Sequence, residues 1–68
     1  METVNIDTPY IKLDQAMKLS GYVYSGSEAK NLIQDGFVQV NGEVCTMRGK
    51  KIFPGDVVSF EDLKFQVL

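Results

Sequence analysis

Phe37-Val38-Gln39-Val40-Asn41-Gly42-Glu43-Val44-Cys45-Thr46 is the stretch that decides the fold. Its two halves read as β-strands, and Asn41-Gly42 between them reads as a two-residue hairpin turn. Asn-Gly suits the positive backbone angles of a type I′ turn, whose twist matches that of the strands it joins.

Outward from the hairpin toward the C-terminus, Met47 to Lys51 forms a polar, glycine-containing connection. Ile52-Phe53 then leads into a turn at Pro54-Gly55-Asp56 and a strand at Val57-Val58-Ser59-Phe60, with a final strand over Lys64 to Leu68.

Toward the N-terminus, Asp35-Gly36 closes a helix that carries Ala29, Leu32 and Ile33 on one face. The helix opens at Ser25-Gly26-Ser27-Glu28, where a serine followed three residues later by glutamate matches a capping box. Before it, Leu13, Ala16, Met17 and Ser20 recur at helical spacing on a first helix of about two turns that Gly21 ends. Val4 and Ile6 alternate with polar residues as a short edge strand, which Pro9 interrupts.

These elements predict an α+β fold, two short helices packed on a small, mainly antiparallel sheet. The expected core is Leu13, Met17, Leu32, Ile33, Val38, Val40, Ile52 and Val57. Tyr10, Tyr22, Tyr24 and Phe37 are expected to complete that core, with stacking on unpaired nucleobases as their alternative role.

Sixty-eight residues without an internal repeat or a linker predict one domain spanning residues 1–68. With 44% hydrophobic and 24% charged residues the composition is that of a folded globular chain. No apolar run reaches the ~20 residues that a bilayer requires, and Met1-Glu2-Thr3-Val4-Asn5 has no signal-peptide character, so we expect a cytoplasmic protein that engages no membrane.

The lone Cys45 has no intrachain disulfide partner, and the chain contains no histidine. A Cys/His metal site and a thiolate-imidazole pair are therefore both excluded, and Cys45 is read as a small strand residue. We expect no catalytic residues, no metal and no cofactor.

A net charge of −2 opposes nucleic-acid binding at first sight, yet the charges are unevenly distributed. Residues 12–51 hold six cations (Lys12, Lys18, Lys30, Arg48, Lys50 and Lys51) against four carboxylates, while the two ends hold Lys64 against five. Screening over a Debye length of ~8 Å lets such a basic region act locally.

Four segments, Lys12-Leu13-Asp14, Ser25 to Lys30 with Leu32-Ile33, Gly36 to Val44, and Pro54 to Val58, stand in an order and spacing that resemble the S-four RNA-binding domain family. The resemblance spans residues 12–58. The Ser25 to Lys30 and Met47 to Lys51 runs look most like the small stand-alone bacterial proteins of the YaaA and YbcJ type. It implies the αL motif, in which two helices and a hairpin display a basic surface that grips structured RNA, often ribosomal. A ribosomal or assembly-factor protein is a candidate partner, and the expected state is monomeric.

Arg48, Lys50 and Lys51 beside Gly49 supply guanidinium and ammonium groups suited to phosphate oxygens. By charge pattern alone this would be a solvated loop; the resemblance makes it an RNA contact. It also carries a contact role to Lys12, where the family commonly has arginine, and to Lys30. Ser25, Gly26 and Ser27 lie at a helix start, where free amides favour an anion, and capping is their alternative role. The chain departs from many relatives at Gly26, where they have arginine, and Glu28 adds a negative charge beside it.

Two other readings compete. A protein-interaction adaptor would dock the same basic loop on an acidic partner. A ubiquitin-like sulfur carrier shares the Val-Asn-Gly hairpin and the late Gly-Asp turn, but acts through a C-terminal Gly-Gly, whereas this sequence closes on Phe65-Gln66-Val67-Leu68.

Overall fold

The computed structural model describes all 68 residues. Strand β1 (Glu2–Val4) is followed by β2 (Ile11–Lys12), helices α1 (Leu13–Leu19) and α2 (Gly26–Gln34), and strands β3 (Val38–Val40), β4 (Glu43–Val44), β5 (Lys51–Ile52), β6 (Val57–Phe60) and β7 (Leu63–Val67). Five strands form one sheet in the order β1-β7-β6-β3-β4, and β2 pairs with β5 as a separate ribbon. Every pairing is antiparallel except β1 with β7. The predicted α+β architecture, two short helices on a mainly antiparallel sheet, is the one observed.

The hairpin has the predicted turn. Asn41 and Gly42 adopt φ of 52° and 86°, the two positive values a type I′ turn needs, and Val40 faces Glu43 across it. Strand β4 stops at Val44, so Cys45 and Thr46 lie beyond the strand predicted for them, although the Cys45 amide still donates to the Val38 carbonyl at 2.9 Å.

Both ends of α2 are encoded locally. The Ser25 hydroxyl accepts from the Glu28 amide at 3.2 Å, and the Glu28 carboxylate reaches back to accept from the Tyr24 amide at 2.8 Å. This is a capping box displaced by one residue at its return bond. At the other end Gly36 takes φ +84°, its amide donates to Ile33, and the Phe37 amide donates to Leu32. Those two bonds define a Schellman motif.

The core consists of 14 apolar residues and no polar one. Leu13, Ala16 and Met17 of α1 and Ala29 and Ile33 of α2 meet Val38, Val40, Val58, Phe60, Phe65 and Val67 of the sheet. No helix is long and apolar enough to cross a membrane.

Several predicted positions are corrected. Val58, not Val57, points into the core, because the sheet register pairs Val58 with both Val40 and Phe65 and directly paired residues share a face. Val57, paired with Gln66, faces away and is half-buried, as is Leu32. Tyr10, Tyr22, Tyr24 and Phe37 do not complete the core: all four are exposed, Tyr24 at 96%. The buried aliphatic residues with Phe60 and Phe65 already fill the small interior. Ile6 falls outside β1, which ends at Val4, and Lys51 belongs to β5 rather than to a connection.

Candidate nucleic-acid interface

Lys12 ends β2 and immediately precedes α1, with extended backbone angles of φ −72° and ψ 147°. A helix start leaves its first amides without intrahelical partners. Here the N-cap residue Lys12 gives no side-chain cap, and the Asp14 carboxylate takes up only the Gln15 amide, at 2.8 Å. The main chain of the basic loop serves instead: the Lys50 carbonyl accepts from the Leu13 amide at 2.9 Å, and the Arg48 carbonyl from the Asp14 amide at 3.1 Å.

This arrangement fixes the backbone of residues 48–50 against α1 while the side chains of Arg48 and Lys50 remain exposed. Antiparallel pairing of β2 with β5 sets Lys12 directly opposite Lys51. Four of the predicted cations, Lys12, Arg48, Lys50 and Lys51, are thereby collected around the start of α1, although 36 positions separate Lys12 from Arg48 in sequence. No lysine or arginine side chain enters any of the side-chain hydrogen bonds of the fold. Their donors are thus free for an external acceptor.

The remaining predicted positions, Ser25, Gly26, Ser27 and Lys30, lie on the first turns of α2, and no hydrogen bond joins them to the loop. Ser25 performs its capping role. At Gly26 a Cβ would meet nothing within 4 Å, so packing does not demand glycine there. The Glu28 carboxylate is engaged on the Tyr24 amide, which spends part of its acceptor capacity locally.

Aromatic rings join the basic cluster from a side not predicted for them. The Lys51 ammonium lies 4.8 Å from the Tyr10 ring centroid, a cation–π contact, and Tyr10 packs tilted against Phe53 at 5.8 Å. Phe53 was not among the candidate residues. Its signal in the sequence is the mirrored pattern Tyr10-Ile11-Lys12 and Lys51-Ile52-Phe53, an aliphatic centre between an aromatic and a lysine.

The S4 domain model matches residues 4–68. A Bacillus subtilis (strain 168) protein named "Probable ribosome maturation protein RlbA" is 41% identical over 66 residues, covering 96% of this chain and 93% of that protein. YbcJ of Escherichia coli (strain K12) is 40% identical over 60 residues, covering 88% of this chain and 86% of its own. The solution structure of E. coli YbcJ, described as revealing an αL motif involved in RNA binding, superposes with a TM-score of 0.78 at 38% identity, covering all of this chain and 87% of that one. Shared motifs, shared sequence and a shared fold place this chain in the S4 domain family.

Proposed function

We propose that this chain is a non-catalytic RNA-binding module, acting as a single domain, that grips structured RNA, ribosomal RNA foremost, in the maturation of ribosomes. The observation that carries the reading is the convergence of Lys12, Arg48, Lys50 and Lys51 around the start of α1 on a backbone held by hydrogen bonds. Preorganised, unpaired cations are what phosphate recognition requires, because affinity then comes from released counterions rather than from broken internal ion pairs. Ser25, Gly26, Ser27 and Lys30 at the start of α2 form a second contact, where amides and the helix dipole favour an anion.

The RNA-binding description of YbcJ and the ribosome-maturation name of RlbA support the same reading. Side chains that meet phosphates and 2′-hydroxyls read shape more than sequence, so folded RNA is the expected target.

The test is fluorescence-anisotropy binding to structured ribosomal RNA fragments across a range of salt concentrations. The four cations at the start of α1 alone give an expected slope of log affinity against log salt of about −2.8 to −3.6, at roughly −0.7 per contact on a single strand and −0.9 on a duplex. Lys12→Ala should reduce the slope by about 0.7–0.9, and the triple variant Arg48→Ala/Lys50→Ala/Lys51→Ala by about 2.1–2.7. Circular dichroism confirms that each variant is folded. Failure of the wild type to bind any structured RNA at low salt would overturn the reading and favour an adaptor that docks an acidic protein.

A further inference from the structure

We propose that the β2–β5 ribbon carries a stacking site for an unpaired nucleobase, formed by Tyr10 and Phe53 and flanked by Lys12 and Lys51. The inference rests on the RNA-binding reading and adds to it a preference for RNA with a base outside the helix.

The argument begins with the pleat. Side chains alternate between the two faces of a strand. In the β2–β5 ribbon Ile11 pairs with Ile52 and Lys12 with Lys51. Ile52 is fully buried and Ile11 packs against the core, so the inward face belongs to the isoleucines. The opposite face receives Lys12 and Lys51, and one step beyond the isoleucine pair it receives Tyr10 and Phe53, whose rings are 5.8 Å apart.

Tyr10 and Phe53 are 38% and 48% exposed as residues, and with their rings in contact they present one joint apolar surface to water. An exposed aromatic pair beside cations has the composition of single-strand recognition: every base presents a π-face to a ring, and the adjoining phosphates find an ammonium. Residues two apart on a strand are ~6.6–6.8 Å apart, which sets Lys12 beside Tyr10 and Lys51 beside Phe53 along the same face.

The Lys51 ammonium is already held 4.8 Å from the Tyr10 ring, so the cation and the ring are arranged before any ligand arrives. Bases inside a duplex are stacked on one another and offer no free face. The ligand is therefore a base at a bulge, loop or helix end.

The test compares two RNA hairpins that differ by one bulged nucleotide, titrated at equal salt into wild type and into the double variant Tyr10→Leu/Phe53→Leu. Wild type should prefer the bulged hairpin by about tenfold, and the variant should bind both alike. The wild-type protein supplies an independent readout: the ring-proton resonances of Tyr10 and Phe53 should move upfield on addition of the bulged hairpin and stay in place with the paired one. Equal wild-type affinity for the two hairpins, with unmoved ring resonances, would overturn the stacking site and leave the RNA reading standing. Binding to neither hairpin at low salt would overturn both.

Discussion

Asn41 and Asp56 clasp the β3–β4 hairpin to the turn that launches β6. The Asn41 side-chain amide donates to the Asp56 carboxylate at 3.1 Å, and its carbonyl oxygen accepts from the Val57 amide at 2.9 Å. The other oxygen of Asp56 accepts from the Phe53 amide at 2.8 Å. On the main chain, the Asn41 amide donates to Val57 at 2.7 Å. The same asparagine thus supplies a positive φ to the hairpin turn and fixes the register of the neighbouring strand.

Removing this clasp should destabilise the fold with measurable coupling. Asn41→Gly keeps the left-handed backbone accessible while deleting the side-chain bonds, and should cost about 1 kcal/mol. Asp56→Ala should cost about 1–2 kcal/mol. The double variant should lose less than the sum, with an interaction energy of about 0.5 kcal/mol, as read from urea unfolding curves. Strict additivity would show that the two residues act separately.

The register also orders two adjacent valines. Val58→Ala, at a fully buried site between Val40 and Phe65, should cost about 2 kcal/mol, and Val57→Ala, on the far face, under about 1 kcal/mol. Denaturant midpoints of the two variants measured side by side check the ranking, and a reversed order would mean that β6 is shifted by one residue.

Ser25 allows capping to be separated from phosphate contact. Ser25→Ala should lose about 1 kcal/mol of stability, because the Glu28 amide loses its acceptor. Ser25→Asp should retain stability, since aspartate is an equally good N-cap. If RNA phosphate visits the start of α2, the added negative charge should also weaken binding severalfold at low salt. Thermal unfolding and anisotropy on the same samples distinguish the two effects, and unchanged RNA affinity of Ser25→Asp would confine Ser25 to capping.

Features with local codes were legible in the sequence. Asn41-Gly42, the Ser25/Glu28 box and Asp35-Gly36 each specify their own geometry within a few residues, and each forms in the structure. The choice between Val57 and Val58 was also present: Val58 and Phe60 are apolar two positions apart, whereas Val57 is in phase with Ser59. Strands β2 and β5, two residues each, are too short for periodicity to detect, and only pairing defines them. That pairing is what unites Lys12 with Lys51, so the candidate cations could be named individually from sequence while their grouping waited for the fold. The exposure of the tyrosines and Phe37 was hidden for a related reason: a count of apolar residues does not show that the interior is already full.

The pairing of β1 with β7 has a consequence for how the chain reaches this state during synthesis. Val4 lies beside Val67, and β7 is inserted between β1 and β6 rather than at an edge. At about 5–20 residues per second, β1 must wait several seconds for its partner, while the helices and the β3–β4 hairpin can form from neighbouring residues alone. Until β7 emerges, the outer side of β6 is an open strand edge. Folding of this sheet is therefore completed by the last of its strands to be synthesised, and the interval before its arrival is when the nascent chain is most exposed to strand-mediated association.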